Sequence, residues 1–465
     1  RQSAAARSAA LGTTVNVAGE VTTAAARRRE RHELRRLAAE VSGAEFLQAC
    51  GHRVCSNEGV GVRGGSGAPA GFSGLTTCGS VWACPQCAAK IGGRRTEDLS
   101  EMLRWATAKG YTVAMLTLTA RHSKGQRLDD LWGGLSEAWR FLGRGWGSET
   151  AAAFEKRVAK NRDAWADYRA GIRRKPRKET GELARRVGLL ESLGALGYVR
   201  ATEVTHGSSG WHVHFHVVLV LDTQVLPHGL EDRDDTLDAA RRSIFELWRK
   251  GLLRNRLDAV EQVRETDGST SHVGADLRIM HGAEVAEKLS KYETKATDAV
   301  AAAQESAKRL AESEKRRIEA GKFAAEATLG AWKQGREVSR TPFQILGDLS
   351  TGASANLAAD ERLWCEWVAG SRGRVQLVWS RGLADLARVA DAEKSDEEIA
   401  AEEIGSEDLF RLPLGTWKRI CFTAARFELL EAVEKGGREA GIGFLEERGL
   451  IWLPALGADM PPDTR

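Results

Sequence analysis

The segment HVHFH at residues 212–216 constrains the fold of this 465-residue chain more than any other feature. Side chains of a β-strand alternate between its two faces, so a strand here directs His212, His214 and His216 to one side and the apolar residues between them to the other. Imidazole is the commonest transition-metal ligand, and two histidines on a rigid strand can hold one ion. The alternative is an amphipathic strand with histidines on its surface.

A hairpin precedes and includes this segment. VRATEV (199–204) and WHVHFHVVLVL (211–221) are joined by THGSSG, which is typical of two strands and a turn. Glu203 on the first strand would come alongside the histidines and supply an oxygen ligand. One carboxylate and two imidazoles leave coordination positions open for a phosphate oxygen. The alternative is that Glu203 is an ordinary exposed strand residue.

Five of the seven cysteines lie between positions 50 and 87. Because disulfides are rare in cytosolic proteins, this clustering favours a metal site, which would organise a Gly-rich segment that we expect to be an irregular loop without a core. We predict structural Zn²⁺ held by Cys50, Cys78, Cys84 and Cys87. Cys55 is the alternative fourth ligand, and His52 is a further candidate. Free buried thiols are the competing interpretation.

The charges are unevenly distributed although 68 basic residues nearly cancel 64 acidic ones. Residues 155–178 carry ten Lys or Arg against three Asp or Glu, whereas residues 391–408 carry nine acidic residues and one Lys. A basic segment suits a polyanion partner, although a solvated helix face has the same pattern. The predicted DNA-binding residues are Arg173, Arg174, Lys175, Arg177 and Lys178.

Tyr292 lies between lysines in EKLSKYETK. At 3.6 residues per turn, Lys288, Tyr292 and Lys295 share one face of a helix. A phenol with a pKa of ~10 is a poor nucleophile unless cations stabilise its developing charge, and these lysines do so. No such setting surrounds the other tyrosines, which are Tyr111, Tyr168 and Tyr198.

These motifs together resemble a known family. LTLT (116–119), GWHVHFHVVL (210–219) and YxxK (292–295) occur in the order of the three motifs of the HUH endonuclease superfamily, and specifically of rolling-circle replication initiators of plasmids from Gram-positive bacteria. CGSVWACPQCAAKI, EVTHGSSGWHVHFH, TPFQIL and WSRGL are most similar to the actinobacterial branch. The resemblance covers about residues 50–385.

The resemblance implies an α+β fold in which a central antiparallel sheet is flanked by helices, with the histidines on a middle strand. It implies His214 and His216 as paired ligands of Mg²⁺ or Mn²⁺, Glu203 as a third and His212 as a further candidate. Tyr292 would be the nucleophile, assisted by Lys295. The implied enzyme is a metal-dependent nickase and ligase that forms a 5′-phosphotyrosine link and frees a 3′-OH primer.

The resemblance also implies partners and leaves other functions open. Origin DNA, both duplex and single-stranded, is the expected substrate. Because no GxxxxGK[ST] loop is present, a host helicase is an expected partner. The 3′-OH primer implies a host polymerase as a further partner. The alternatives are an HUH transposase, a relaxase-like nickase, and a non-catalytic zinc-dependent DNA-binding repressor.

One position departs from the family pattern. Related initiators place a glutamate one helical turn before the tyrosine, where this chain has Lys288. Glu287 lies about 140° around the helix from Tyr292, and Glu284 is on the correct face but ~12 Å away along the axis. The residue that assists the terminating cleavage is therefore not identified.

The chain is long enough for several domains. No run of 18 apolar residues is present, so we expect a cytoplasmic protein without a membrane partner. The predicted divisions are a flexible or helical tail (1–45), a zinc module (46–95), a nuclease domain (96–300) with a basic helical insertion at about 140–195, a polar helix (301–335) and a mostly helical C-terminal mixed module (336–465).

Overall fold

A computed structural model describes residues 13–15, 21–65, 68–146, 149–223, 234–264, 270–280, 339–390, 392–403 and 407–455. This part of the chain combines helices with sheets in which every strand pairing is antiparallel, so the prediction of a mixed helix and sheet protein with an antiparallel sheet is confirmed. Tyr292, Lys295 and the predicted polar helix at 301–335 lie outside these residues.

The strands are β1 (Thr13–Val15), β2 (Val21–Thr23), β3 (Val60–Gly65), β4 (Ala68–Ser73), β5 (Thr112–Thr119), β6 (Ala195–Gly207), β7 (Gly210–Leu221), β8 (Gln262–Arg264), β9 (Thr270–His272), β10 (Ala275–Met280), β11 (Ser339–Arg340), β12 (Leu377–Trp379), β13 (Phe410–Leu412) and β14 (Leu453–Pro454). The α-helices are α1 (Ala24–Ser42), α2 (Glu45–Ala49), α3 (Pro85–Ala108), α4 (Leu128–Trp146), α5 (Ala151–Arg169), α6 (Leu189–Ser192), α7 (Asp234–Arg254), α8 (Pro342–Thr351), α9 (Leu357–Ser371), α10 (Leu383–Ala387), α11 (Asp396–Ala401), α12 (Leu414–Ile420) and α13 (Ala425–Glu446).

The central sheet has the strand order β10-β5-β7-β6-β11, and β12 also pairs with β6. The sequence favours this arrangement because β5 and β7 consist mainly of β-branched and apolar residues, which suit a buried pleated surface. Strand β7 is hydrogen-bonded on both sides, to β5 and to β6. The predicted position of the histidines on a middle strand therefore agrees with the structure.

The predicted hairpin is present and is longer than the sequence pattern indicated. Strands β6 and β7 are joined by a two-residue turn, and the register set by the pairing of Gly207 with Gly210 continues to the pairing of Gly197 with Val220. Gly210 has a positive φ of 89°, and a side chain there would approach the Lys124 backbone at 3.0 Å. Glycine at this position thus fixes which residues of the two strands face each other.

The two faces of the sheet are covered differently. Alternate residues of β7, including Phe215, pack with helices α4 and α7 in the largest core. On the opposite face, Val218 and Val220 pack with residues of α3 and α10, including Leu103 and Leu383, in a second core. The histidines of β7 continue this second face beyond the covered end.

A tryptophan cluster joins the cysteine-rich segment to the sheet domain. Trp82 packs edge-on against Trp132 and Trp367, with ring centroids 5.0 and 5.6 Å away. Its indole N–H donates to the carbonyl of Arg374 at 2.7 Å, while the indole of Trp367 donates to the Trp82 carbonyl at 2.9 Å. Helix α3 then begins at Pro85, because proline suits the first helical position.

The glycine-rich segment is not an irregular loop, so that expectation is wrong. Strands β3 and β4 form a hairpin within a second sheet of order β14-β13-β3-β4. Val60 and Val62 are fully buried in a third core against residues of α12 and α13. Glycine is needed in this hairpin because a side chain at Gly61 would collide with Ser73 and Asp408.

Residues of the predicted C-terminal module are divided among three cores, and Leu377 and Leu383 belong to the second of these. Phe343, Trp364 and Trp367 pack in the core of the central sheet, and β12 pairs with β6. Strand β13, in contrast, pairs with β3 from the predicted zinc module. The predicted boundary at residue 336 therefore does not coincide with a separation between cores. Within the described segments, no helix is both long and apolar enough to cross a bilayer.

Candidate functional site

Glu203, His214 and His216 converge on one point of the central sheet. Glu203 faces His214 directly across the hairpin. Its Oε2 lies 3.3 Å from Nε2 of His214 and 3.1 Å from Nε2 of His216. Ligands with bonds of about 2.1 Å to one ion lie about 3.0 to 3.4 Å apart, so these three atoms fit a single metal. The side chains are 12 to 14% exposed, which leaves one side open to a substrate.

Strand β5 orients one of the imidazoles. Thr117 pairs with His216 across the β5–β7 ladder, and its Oγ1 lies 3.2 Å from Nδ1 of His216. When Nε2 is a metal ligand, Nδ1–H donates to this hydroxyl and fixes the tautomer. Thr117 belongs to the LTLT motif, and its alternation with the buried Leu116 and Leu118 explains why it faces the site.

His212 extends the row of imidazoles but lies beyond the three-residue group. Its Nδ1 is 3.3 Å from Nδ1 of His122, and its ring centroid is 4.8 Å from that of His214. Burial lowers the pKa of His212 to about 3, and the neighbouring His214 and His122 act in the same direction. The imidazole is therefore neutral at physiological pH.

The second group comprises the four predicted cysteines. All of their sulfur atoms lie within 4.8 Å of one another. Cys50 Sγ is 3.6 Å from the sulfurs of Cys84 and Cys87, and Cys78 Sγ is 3.7 Å from that of Cys87. Neighbouring thiolates around tetrahedral zinc with bonds of about 2.3 Å lie about 3.8 Å apart, so the residues fit the ion.

The position of this cluster in the fold favours thiolate coordination. Cys84 is the N-cap of α3 and Cys87 lies in its first turn, where the helix dipole stabilises negative charge. Burial raises the pKa of the Cys84 thiol, while hydrogen bonds from the other three cysteines lower that of Cys50. A cation offsets the first effect because it stabilises every thiolate around it.

The alternative ligands lie apart from this cluster. Cys55 is exposed and is not a member of the four-residue group. His52 instead stacks on Phe422 with ring centroids 4.6 Å apart, and its Nε2 lies 3.2 Å from Nε2 of His32. Burial, followed by the charge of nearby arginines, lowers the pKa of His52 to about 4 and that of His32 to about 2.

The predicted DNA-binding residues lie in an extension from the domain. Helix α5 has no buried residue, and the loop after it carries the exposed side chains of Arg173, Arg174, Lys175, Arg177 and Lys178. The indole N–H of Trp165 donates to the Lys178 carbonyl at 2.9 Å, and the Lys175 ammonium lies 5.8 Å from the centre of the Trp165 ring. The loop is thus folded back on α5 while its charges face solvent.

Three further groups lie near the two sites and were not predicted from the sequence. His122 follows β5 and contacts His212, and Thr117 contacts His216. The side chains of Arg35 and Arg426 are buried beside the cysteine cluster. Alternation along LTLT was the available signal for Thr117, whereas the other contacts join distant parts of the chain and have no local signature. Tyr292 and Lys295 lie outside the described residues, so their roles remain predictions.

Fold and site together define a protein that can hold two metal ions, one among four cysteines and one between a glutamate and two histidines of an antiparallel sheet. The chain is 25% identical over 349 residues to "Protein rep" of Streptomyces lividans. The alignment covers 72% of this chain and 69% of that protein. The resemblance to an actinobacterial Rep protein is therefore confirmed.

A second relative covers less of the chain. A protein named "Neomycin resistance protein" from Streptomyces cyanogenus is 31% identical over 150 residues, which is 32% of this chain and 31% of that protein. No family model and no solved structure matches the chain.

Proposed function

We propose that this protein initiates rolling-circle replication of a plasmid by nicking one DNA strand at the origin and later rejoining it. The observation that carries the proposal is the convergence of Glu203, His214 and His216 on one face of an antiparallel sheet, in a chain similar to a protein named Rep. The same three residues and the Tyr292 motif support our assignment of the chain to the HUH class of single-tyrosine endonucleases. Its proposed place of action is the bacterial cytoplasm.

In this proposal, the scissile phosphate binds at the open side of the group formed by Glu203, His214 and His216. Glu203, His214 and His216 would hold Mg²⁺ or Mn²⁺, and the bound ion would polarise the phosphate oxygen. Thr117 keeps the His216 ring oriented, since its hydroxyl fixes Nδ1. The buried residues on the other face of β7 hold the strand in place, so the ligands do not have to be ordered when DNA binds.

Tyr292 is the proposed nucleophile. Its oxygen forms an ester bond with phosphorus while the bond to the 3′ oxygen breaks, and that oxygen leaves as a protonated 3′-OH. Lys295 offsets the charge on the phenolate or the phosphate. The product is a 5′-phosphotyrosine link, and the free 3′-OH primes a host polymerase behind a host helicase. Attack by a 3′-OH on the phosphotyrosine reverses the exchange, so rejoining needs no external energy source.

Two other regions have separate roles in this proposal, one in DNA binding and one in stabilising the fold. The basic loop at 173–178 contacts backbone phosphates of origin duplex, because exposed Lys and Arg neutralise phosphate charge without reading sequence. Zinc at the cysteine cluster is structural, since four thiolates close the coordination sphere, whereas the Glu and His site is open and suits a harder, exchangeable ion.

The test is covalent capture of DNA. We would incubate the protein and Mg²⁺ with single-stranded oligonucleotides that tile the DNA flanking its gene, and resolve the products on a denaturing gel. Wild type should give a protein-linked 5′ end, and Tyr292→Phe should give none while retaining DNA binding, because it removes one oxygen and little surface. Tyr168→Phe is the matched control, since Tyr168 is exposed on α5 and should leave the adduct unchanged.

The outcomes separate the candidate functions. An adduct that persists in Tyr292→Phe would mean that another residue is the nucleophile. A wild-type protein that binds the tiled DNA and never forms an adduct would instead support the non-catalytic repressor. Transfer of the captured strand into unrelated target DNA would favour a transposase over a replication initiator.

A further inference from the structure

Buried arginines fall into two classes in the part of the chain that the structure describes. Arg95 and Arg411 are each 6% exposed and have carboxylate partners, Asp396 at 3.6 Å for Arg95 and Asp408 for Arg411. This is the expected state, because a buried guanidinium without an anion is costly.

Arg35 and Arg426 form the other class. They are 1% and 5% exposed, and within the described segments neither has a carboxylate partner. Their hydrogen-bond partners are neutral: Arg35 donates to the Leu47 carbonyl, and Arg426 donates to the Gly51 carbonyl at 3.0 Å. These carbonyls flank Cys50, so both cations lie against the segment that carries a proposed zinc ligand.

The two histidines of this region do not supply the missing anion. Nε2 of His32 lies 3.1 Å from Nη1 of Arg426, and Nε2 of His52 lies 3.4 Å from Nη2 of Arg35. Imidazole is neutral or positive and never negative in this setting. The pair of positive charges therefore needs compensation from outside the Arg–His group.

The cysteine cluster provides that compensation when it holds zinc. Four thiolates and one Zn²⁺ carry a net charge of −2, which equals in magnitude the charge of two guanidinium groups. Attraction from Cys84, Cys50 and Cys78 acts against the effect of burial on the pKa of Arg35. Burial and the charge of Arg35 lower the pKa of Arg426, and attraction from Cys421 and then from Cys50 acts against them. The cluster and the arginines are thus close enough to interact electrostatically.

We propose that Arg35 and Arg426 are the counter-charges of the zinc–thiolate centre and set its affinity for the metal. The proposal rests on the zinc site of the proposed function and deepens it by naming the residues that neutralise it. Zinc, the cysteines and the arginines form one electrostatic unit that joins α1, the Cys50 segment and α13. Neither arginine belongs to the proposed ligand set of four cysteines, so both are positioning residues.

The test is zinc affinity of the full chain, measured by competition with a chromophoric chelator. Arg35→Met and Arg426→Met should each weaken zinc binding by about 10- to 100-fold, the usual effect of removing a residue that supports metal ligands. Arg35→Lys loses the paired N–H donors but keeps the positive charge, so it should retain most of the affinity for zinc. Arg411→Met is the matched control, since it removes a buried arginine whose charge Asp408 balances.

A charge exchange separates this role from simple support of the backbone. Cys78→His lowers the net negative charge of the ligand set by one, and Cys₃His is an accepted zinc set. In the Cys78→His background, Arg35→Met should therefore cost much less affinity than in wild type. Equal losses in both backgrounds, or Lys and Met variants of Arg35 with the same affinity, would overturn the proposal.

Failure of the proposed zinc site and failure of the counter-charge role give different results. Elemental analysis of the purified wild-type chain comes first. If it detects no bound zinc, the zinc site of the proposed function is wrong. If wild type and both Met variants bind zinc equally tightly, the zinc site stands and only the counter-charge role of the arginines is contradicted. Neither measurement depends on DNA nicking.

Discussion

His212 makes the stability of the protein depend on pH in a way that can be calculated. Its pKa is about 3 in the folded chain, against an ordinary value of 6.5. The unfolded chain therefore binds a proton at a higher pH than the folded chain, so acid favours unfolding. The contribution is fully present above about pH 6.5 and is lost progressively as the pH falls towards 3.

The expected magnitude follows from the unfolded state alone. At pH 5 the folded imidazole is still neutral, while protonation at an unfolded pKa of 6.5 stabilises the unfolded chain by about 2 kcal/mol, against roughly 0.2 kcal/mol at pH 7. We expect His212→Gln to remove this term. Between pH 7 and pH 5, wild type should lose about 2 kcal/mol more of its free energy of unfolding than the variant does.

Urea unfolding at the two pH values measures this difference. Tryptophan fluorescence suits the measurement because the cores contain several buried tryptophans. Titrating groups remote from His212 are common to both proteins and cancel. Adding Mg²⁺ should not abolish the difference, since a cation held by His214 and His216 also opposes protonation of His212. Parallel pH dependence in wild type and His212→Gln would refute the reasoning and mean that the His212 imidazole is hydrated.

Four further results are expected. Replacing both His214 and His216 by Ala should eliminate nicking and its metal dependence together. Wild-type cleavage that is undiminished in EDTA would contradict the proposed metal site at these histidines. Cys84→Ser should lose the tightly bound zinc, about one per chain by elemental analysis, whereas brief chelation that stops nicking should leave zinc in place. Phe215→Ala should lower the free energy of unfolding by about 3 to 5 kcal/mol in urea titrations, because Phe215 is fully buried. Neutralising the basic residues at 173–178 should weaken DNA binding and flatten its salt dependence, and an unchanged salt slope would exclude phosphate contacts there.

The hairpin with the histidines was predictable because the sequence features that determine it lie within a short segment of the chain. Alternation places three imidazoles on one face of β7, and the short turn between Gly207 and Gly210 fixes the register that puts Glu203 opposite His214. The cysteine group was also accessible, since spacing and clustering limit the candidates. The structure brings together the four cysteines that we favoured and leaves Cys55 outside.

The parts that sequence reasoning missed depend on contacts between distant segments. Glycine-rich β3 and β4 have a weak strand pattern of their own, and Val60 and Val62 become core residues only when β13 and α13 cover them. The division of the C-terminal residues among three cores has the same origin. Nothing near Arg35 in the sequence identifies Arg426 as its neighbour, because burial beside the cysteine cluster is a property of the assembled fold.

The pairing of β3 with β13 has a consequence for how the chain is made. Arg63 and Asp408 are joined by a hydrogen bond of 2.6 Å although they lie 345 positions apart. At about 5 to 20 residues per second, a ribosome needs roughly 17 to 70 s to travel between them. During that time the β3 edge has no β13 to pair with, and Val60 and Val62 lack the cover of α13. The cysteine-rich segment therefore leaves the ribosome early but completes its sheet late, so a nascent chain interrupted before residue 410 exposes a strand edge prone to aggregation.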